Sequence, residues 1–396
     1  MKSWIIKFLV VVLCLCMAAP VLAADQGESV WAKYNMKIWG RVKVDYNYDT
    51  AQFENFNDFL GVPSDSIATA DQKNDSTNFN PRDTRLGFAA MHGAGEWAGK
   101  GVVELDFYGT NSGDNLIPRM RLAYVDLANK DWGTSVRVGQ DWQPVQSLNP
   151  STIDFGILSA SGNLWWRRPQ LTVRQNLDLG DAGGLQFLVS AMQARRTSTA
   201  NETRMPWVLG RVAYNFDFLD GKHMVALDGG YQRDKVKTTT GADDSIDRWL
   251  AGLEAKFAFG PVLVKGEVWT GQGIGGDFLR YDLDTRQNAA GTKVRSWEVN
   301  PSGWVDVTYK IIPRWSVTVG AGMDNPDNTG YNRNSGNLNR QFTRSTNFYA
   351  NTWWTLGPDI KVGFEVMTLE AKRDKPNGNS FHDNGQRYTT SIYYGF

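Results

Sequence analysis

The sequence predicts an all-β fold, a transmembrane antiparallel β-barrel of 16 strands, and three observations indicate it. Apolar and polar side chains alternate with period two along most of the 396 residues, as in β-strands with one face in lipid. The chain carries 40 glycines, 16 tryptophans, 14 tyrosines and 19 phenylalanines, which are mediocre or poor helix formers. Short turns and long polar connections also alternate, which is the layout of outer-membrane barrels.

The N-terminus is predicted to be a cleaved export signal. Lys2 and Lys7 accompany an apolar run of 12 residues, and small residues follow that end at Ala23. The run is too short to cross a bilayer, which takes about 20 apolar residues. We therefore predict a signal peptide over 1–23 and a single transmembrane barrel domain over 24–396. Both cysteines fall in the signal peptide, so no disulfide is expected in the mature chain.

Each predicted strand has one apolar and one polar face. From Met36 to Tyr48 the apolar face carries Met, Ile, Val and Tyr, and the other face carries Lys, Arg and Asp, with Trp39 as the exception. Each segment is about 8–13 residues long, near the 9–11 that a tilted membrane strand needs. The sixteen segments lie near 36–48, 84–92, 101–109, 119–127, 134–141, 169–178, 184–193, 205–217, 222–232, 247–259, 262–271, 296–310, 314–324, 345–356, 359–370 and 388–396. Strands within 49–83 or 272–295 would raise the count to eighteen.

The alternative fold is a secreted β-sandwich, which buries its apolar faces instead of exposing them to lipid. Aromatic residues cluster at the strand ends, as in membrane girdles, and the polar faces are densely charged. Phe396 closes an amphipathic strand and resembles the assembly signal of bacterial outer-membrane proteins. These features favour a barrel in the bacterial outer membrane, with both termini in the periplasm.

If the apolar faces point outward, the first six strands place more basic than acidic groups in the lumen. A one-sided basic wall in a narrow channel selects anions, since arginine pairs with carboxylate or phosphate through two hydrogen bonds. The alternative is that these side chains brace the wall through ion pairs. The basic candidates on these strands are Arg41, Lys43, Arg85, Arg119, Arg121, Arg137 and Arg174.

The connection 142–168 differs from the other long connections because it is apolar and poor in charge. An apolar loop is unfavourable in water, so we predict that it folds into the lumen as a constriction loop after strand 5. Asp141 and Asp154 then face the basic wall across the pore, and Arg167 and Arg168 stand where the loop rejoins the barrel. The alternative is a loop that caps a neighbouring subunit.

Short motifs within 119–177 resemble a known family. They are Arg119-Met120-Arg121-Leu122-Ala123-Tyr124, Gly139-Gln140-Asp141-Trp142, Asp154-Phe155 and Arg167-Arg168-Pro169-Gln170-Leu171. With the sixteen strands and the terminal Phe, they resemble the trimeric porins of Gram-negative bacteria and, more closely, the DcaP-like porins. The resemblance implies a homotrimer with three pores, passage of small anions such as dicarboxylates, and pore-lining roles for Arg119, Arg121, Arg167, Arg168 and Arg174. The chain departs from relatives in its short segment before the first strand and in lacking the Pro-Glu-Phe-Gly-Gly stretch.

The predicted function is an outer-membrane porin for passive diffusion of small hydrophilic solutes, with a preference for anions. The alternatives are a closed-lumen barrel that acts in surface binding or adhesion, and a phosphate-selective porin. The last would need a dense lysine array in the constriction loop, and 142–166 contains no lysine. The expected partners are two further copies of the chain, outer-membrane lipid and lipopolysaccharide, and small anionic solutes.

Other functions are not indicated. The three histidines, His92, His223 and His382, are scattered and have no nucleophile nearby, so no enzyme is predicted. The 42 basic and 42 acidic residues balance, which argues against nucleic acid as a partner. No cofactor is expected. Acidic loop residues at 243–247 and 324–328 leave calcium as an alternative to ordinary turns.

Overall fold

The structure is a computed structural model that describes residues 34–51, 53, 75–109, 116–195, 205–238, 240–278, 285–287, 292–326, 342–374 and 380–396. The predicted signal peptide at 1–23 lies outside these ranges. Within them, no helix has the length and apolar character needed to cross a membrane.

Most of the described residues are in β-strands. The strands are β1 (Asn35–Asp49), β2 (Ser76–Asn80), β3 (Arg85–Ala94), β4 (Trp97–Asp106), β5 (Arg119–Asn129), β6 (Thr134–Trp142), β7 (Arg167–Asp178), β8 (Gly184–Met192), β9 (Trp207–Phe218), β10 (Gly221–Lys237), β11 (Asp243–Phe259), β12 (Val262–Gln272), β13 (Thr285–Gln287), β14 (Val294–Ser296), β15 (Glu298–Ile312), β16 (Trp315–Asp324), β17 (Phe342–Gly357), β18 (Ile360–Asp374) and β19 (Ser380–Gly395). A single 3-10 turn, Gly180–Ala182, joins β7 to β8.

The strands close into one antiparallel barrel. Neighbours in sequence pair all the way round, and β1 pairs with β19 from Arg41 opposite Gly395 to Asp49 opposite Arg387. β2 and β3 both pair with β1 and are two halves of one wall strand, interrupted at 81–84. β13 and β14 pair only with each other as a separate sheet. The barrel therefore has sixteen strands, as predicted, and the described residues of 49–83 and 272–295 add none to that count.

The polar faces point into the lumen. On β1, the apolar Ile38 and Val42 are 62% and 48% exposed, whereas Lys43 and Asp45 are each 3% exposed. Other strands follow the same alternation, with large apolar side chains on the outside. This arrangement is the reverse of a soluble sandwich, in which the apolar faces meet in the core. The barrel interpretation is confirmed.

One end of the barrel carries the tight connections. There, two to five residues join β3 to β4, β5 to β6, β7 to β8, β9 to β10, β11 to β12, β15 to β16 and β17 to β18. At the β9–β10 turn, Leu219 and Asp220 both have positive φ, of 47° and 57°, as a two-residue hairpin requires. The start of β1 and the C-terminal Phe396 lie at this same end. We call it the short-turn end.

Candidate functional site in the lumen

The apolar loop between β6 and β7, residues 143–166, lies inside the barrel. Val145 and Leu164 are fully buried and belong to one apolar cluster with the wall residues Trp207 and Trp269. A second cluster brings Leu158 of the loop against other wall strands. Burial of these side chains removes apolar surface from water, which explains the composition of the loop. The predicted inward-folded constriction loop is confirmed.

Five wall carboxylates hold the loop by its backbone. They stand on β10, β11, β12, β15 and β18, and we call them the acidic row. Its members are Asp228, Glu254, Glu267, Asp306 and Glu365. The loop amides that donate to them are Gln146 N to Asp228 at 2.9 Å, Ser147 N to Glu254 at 3.1 Å, Leu148 N to Glu267 at 2.7 Å, Ser151 N to Asp306 at 2.6 Å, and Ile153 N and Asp154 N to Glu365 at 2.7 and 2.8 Å.

The order of these contacts shows how the loop runs. Successive loop residues reach strands further round the barrel, so the segment 146–154 follows the wall across its strands. A hydrogen bond from an amide to a carboxylate is stronger than one between neutral groups, and it satisfies loop amides that would otherwise be buried without partners. Two glycines allow close approach of the loop to the wall: a Cβ on Gly322 of the wall would overlap the Ser161 carbonyl oxygen, and one on Gly162 of the loop would overlap the Gly303 carbonyl oxygen.

The basic side chains of the first strands face the lumen in ion pairs. Asp83, in the interruption between β2 and β3, accepts from Arg41 at 2.6 Å and Arg85 at 2.9 Å, and the Lys43 ammonium lies 3.4 Å from it. Lys43 also donates to Asp45 at 2.7 Å. This cluster binds β1 to the strand made by β2 and β3.

A second group of ion pairs links β4, β5 and β6. Asp106 accepts from Arg119 and from Arg121, each at 2.7 Å, and Arg121 also donates to Glu104 at 2.8 Å. Further along, the Arg137 guanidinium joins two carboxylates at 2.5 Å each. Its partners are Asp126 and Asp141.

In several of these ion pairs, the cation is more exposed than the carboxylate. The Arg41 and Arg85 side chains are 24% and 22% exposed, whereas their shared partner Asp83 is 5% exposed. The Arg119 side chain is 28% exposed and Asp106 is fully buried. In these pairs the carboxylate lies against the wall and the guanidinium faces the water of the pore. The acidic row is covered instead, since Glu254, Glu267, Asp306 and Glu365 are at most 4% exposed.

Two basic candidates have no ion-pair partner among the described residues, namely Arg167 and Arg174. Arg167 is 6% exposed, and its guanidinium lies 4.6 Å from the centre of the Trp142 ring. Arg121 lies over the same ring at 5.5 Å, so the indole contacts two cations. Arg168 donates to the Gly276 carbonyl oxygen at 2.9 Å.

The two acidic candidates have different surroundings. Asp141 lies within β6, ahead of the constriction loop, and pairs with Arg137 of the same strand. Asp154 lies in the loop and accepts from Arg387 of β19 at 2.9 Å, while Asp49 holds the same guanidinium at 2.6 Å. Asp154 therefore fastens the loop to the seam where the barrel closes, and Asp141 braces the wall.

The role of the acidic row as a unit, and the roles of Asp83 and Asp126 as ion-pair partners, were not predicted from the sequence. Asp83 falls in the stretch 49–83, which the sequence predicts to be a surface connection. The sequence does carry a signal for the acidic row, because strand periodicity places Asp228, Glu254 and Glu267 at lumen-facing positions of later strands.

Phe396 closes the barrel through its backbone. Its N–H donates to the Gly40 carbonyl oxygen at 3.1 Å, and Gly40 N donates to its carbonyl oxygen at 2.9 Å.

The part of the chain with described coordinates holds no group of three or more His, Cys, Asp or Glu suited to a metal ion. Of the acidic loop residues, Asp247 accepts from Tyr231, Asp244 accepts from the Val294 amide, and Asp327 and Asn328 lie outside the described residues.

A closed sixteen-strand barrel with a long loop folded into its lumen is the architecture of a porin. The sequence model of the Gram-negative porins matches residues 10–374. The chain belongs to the Gram-negative porin family. Porins of this family are channels rather than enzymes, and their place is the outer membrane. No curated protein sequence is significantly similar to this porin.

Solved structures share the fold of this porin. The outer-membrane channel DcaP of Acinetobacter baumannii is similar with a TM-score of 0.72 and 22% identity, over 92% of this chain and 98% of that one. An anion-selective porin from Comamonas acidovorans is similar with a TM-score of 0.59 and 11% identity, over 92% of this chain and 100% of that one. The trimer form of OmpT from Vibrio cholerae is similar with a TM-score of 0.56 and 12% identity, over 92% of this chain and 100% of that one.

Proposed function

We propose that this outer-membrane porin lets small hydrophilic solutes diffuse passively with a preference for anions, dicarboxylates among them. The observation that carries the proposal is the greater exposure of the cations than of the carboxylates in the luminal ion pairs. Arg41, Arg85 and Arg119 present their cations to the pore, and the carboxylates that pair with them lie against the wall. A solute in the lumen therefore meets basic groups on this side.

The constriction loop adds to this asymmetry. It lies over the acidic row, so the backbone amides of the loop stand between those carboxylates and the rest of the lumen. Low-dielectric walls focus the field of the uncovered charges, and rings or ladders of basic side chains select anions. Arginine suits dicarboxylates because its planar fork binds a carboxylate through two hydrogen bonds.

The test is the reversal potential of the purified porin in a planar bilayer under a salt gradient. We expect the sign of an anion-selective pore. Replacing Arg41, Arg85 and Arg119 together by Gln should lower the anion-to-cation permeability ratio to one or below, because Asp83 and Asp106 then lose exposed cations. Lys43 and Arg121 still pair with these carboxylates in the variant, which favours retention of the fold.

The matched control is Arg233→Gln. Arg233 is an arginine on the outer face of β10, 61% exposed, and its nearest carboxylate is Asp247 at 3.7 Å. This change should leave the permeability ratio unaltered. A cation-selective wild-type pore would contradict the proposal. Absence of any conductance would favour the closed-lumen barrel for surface binding, and strong preference for phosphate over carboxylates would favour the phosphate-selective alternative.

We also propose that the porin is a homotrimer in contact with outer-membrane lipid and lipopolysaccharide, with both termini in the periplasm. The similar OmpT structure in its trimer form supports the assembly. The short-turn end, where both termini of the barrel lie, supports the orientation, since outer-membrane barrels keep their short turns on the periplasmic side. Chemical cross-linking in native membranes should give a ladder that ends at three copies. A protease added to whole cells should leave uncut an epitope inserted in the β7–β8 turn, which lies at the same end as both termini.

A further inference from the structure

A second pocket lies in the wall at the short-turn end, apart from the constriction loop. It is a cavity of about 390 Å³. Its lining comes from the β15–β16 turn and from the ends of β16, β17, β18 and β19. Lining side chains at lumen-facing positions are Lys310, Ser316, Trp353, Thr355, Lys361 and Tyr393, and Arg314 stands in the turn. Most of the lining side chains thus stand on the lumen face, and Ile312, Pro313 and Trp315 complete the lining.

The charge of this pocket is one-sided. Its lining contains three basic residues, Lys310, Arg314 and Lys361, and no Asp or Glu. All three are exposed, and none has an ion-pair partner among the described residues. This differs from the basic wall near the constriction, where most cations are already paired with carboxylates.

Strand register brings the three cations together. Thr355 pairs with Lys361 on one side, and its N–H donates to the Arg314 carbonyl oxygen at 2.8 Å on the other. Arg314 and Lys361 therefore flank Thr355, roughly 10 Å apart at the usual strand spacing. Lys310 pairs with Ser316 across the same hairpin. These side chains are long enough to converge on one bound group.

The pocket is also separate from the constriction along the barrel axis. Lys361 stands four residues from Glu365 on β18, and Lys310 stands four residues from Asp306 on β15. Both acidic residues hold the loop. At about 3.3 Å per residue, the two layers are roughly 13 Å apart along these strands.

Aromatic rings form the rest of the pocket. Tyr393 and Trp353 meet edge to face at 6.4 Å between ring centres, and the Lys361 ammonium lies 5.7 Å from the Tyr393 ring. Cations beside aromatic rings fit a solute with its charge in one group and a flat apolar body. A cavity of this size lies at the low end of small-ligand sites, so a one-ring solute fits it.

We propose that this pocket is a second binding subsite of the porin, specific for organic phosphate monoesters with a single aromatic or similarly flat apolar body. The phosphate dianion lies among Lys310, Arg314 and Lys361, and the ring packs on Trp353 and Tyr393. Lysine and arginine both bind phosphate through charge-assisted hydrogen bonds. The inference deepens the proposed function, and for a role in solute passage it rests on that function.

Isothermal titration of the detergent-solubilised full-length porin with phenyl phosphate tests the site directly. We expect saturable binding to the wild type. The double variant Lys310→Gln/Lys361→Gln should weaken it at least about tenfold, since hydrogen bonds to charged groups are lost. Inorganic phosphate lacks the ring and benzoate lacks the dianion, so each should bind more weakly than phenyl phosphate.

The matched control is Lys256→Gln, which removes a lysine at a lumen-facing position of β11 near the same end but outside the pocket lining. It should leave the affinity unchanged. No saturable binding to the wild type, or equal losses in Lys256→Gln and the double variant, would overturn the subsite. These results do not depend on the reversal potential, so an anion-selective pore without phenyl phosphate binding refutes the subsite alone.

Discussion

At the scale of single residues, the basic wall holds arginines of two kinds. Arg121 is buried between Glu104 and Asp106, with its side chain 1% exposed, whereas Arg119 is 28% exposed and shares Asp106. A buried cation that neutralises two carboxylates stabilises the fold, because its removal leaves Glu104 without a cation and Asp106 with only the exposed Arg119. An exposed cation beside the same carboxylate contributes more to the field in the pore than to stability.

Arg121→Gln is therefore expected to destabilise the porin by about 3–5 kcal/mol. The measurement is urea unfolding of the porin in detergent, followed by the gel mobility of the folded barrel. Arg119→Gln is the matched control, and it should have a clearly smaller effect on unfolding. Equal destabilisation by the two substitutions would contradict the distinction between them.

Arg174 provides the complementary residue-scale prediction. It has no carboxylate partner within the described part of the lumen, so Arg174→Gln should leave the unfolding midpoint unchanged and still lower the anion-to-cation permeability ratio. Arg137→Gln is the comparison, since Arg137 joins Asp126 and Asp141 and its loss should affect both properties. A reversal potential that does not move in Arg174→Gln would show that this cation does not act on the permeating solute.

At the scale of the element, the position of the constriction loop depends on the acidic row. Glu365 accepts from the amides of Ile153 and Asp154, so Glu365→Ala should release this part of the loop. We expect faster hydrogen exchange in the peptide that spans 146–154. Glu370→Ala is the control, since Glu370 lies on the same strand but pairs with the exposed His382. Unchanged exchange in Glu365→Ala would mean that Glu365 does not hold this part of the loop.

The fit of the loop against the wall gives a second element-scale prediction. A methyl group at Gly322 would lie 2.0 Å from the Ser161 carbonyl oxygen, so Gly322→Ala should displace the loop into the pore. We expect a lower single-channel conductance and a loss of about 1–3 kcal/mol of stability, typical of overpacking. Gly101→Ala is the control, because nothing lies within 4 Å of a Cβ at Gly101. A conductance equal to wild type in Gly322→Ala would refute this close contact.

At the scale of the whole molecule, the barrel is closed by its two ends. Phe396 exchanges two backbone hydrogen bonds with Gly40, and its side chain stays 53% exposed. Deletion of Phe396 should reduce the amount of porin assembled in the outer membrane of cells several-fold, while the purified chain still refolds in detergent. Leu356→Ala, which removes another exposed apolar side chain at the same end, should assemble normally. Normal assembly of the deletion variant would rule out Phe396 as the assembly signal.

The barrel itself could be predicted from sequence because its pattern is local. Strand periodicity needs only neighbouring residues, and short turns such as Leu219-Asp220 mark the ends. The inward loop was also predictable, since an apolar connection must find an apolar partner. The strand formed by β2 and β3 was predicted only from 84 onward, because residues 81–84 turn within the wall and their neighbours read as a polar loop.

The ion-pair partners were harder to predict, because one irregularity changes which residues face inward. Between β4 and β5, Glu104 pairs with Leu122 and Leu105 pairs with Met120, so Arg121 is an extra residue in a β-bulge. A bulge reverses the alternation beyond it. Arg121 faces the lumen at an odd position, and Asp126 does so at an even one. Counting along the sequence without the bulge assigns Asp126 to the lipid face.

The anchoring of the constriction loop has a consequence for how this porin can evolve. The carboxylates of the acidic row accept hydrogen bonds from main-chain N–H groups. Every residue type except proline supplies such a group. Mutations at the less buried loop positions, such as Ser147, Asn149 and Thr152, can therefore exchange side chains without losing the place of the loop in the lumen. The wall carboxylates fix the path of the loop backbone, and the side chains that the loop presents to the pore can change. A new solute preference can then arise by single substitutions, each on a scaffold that is already in position.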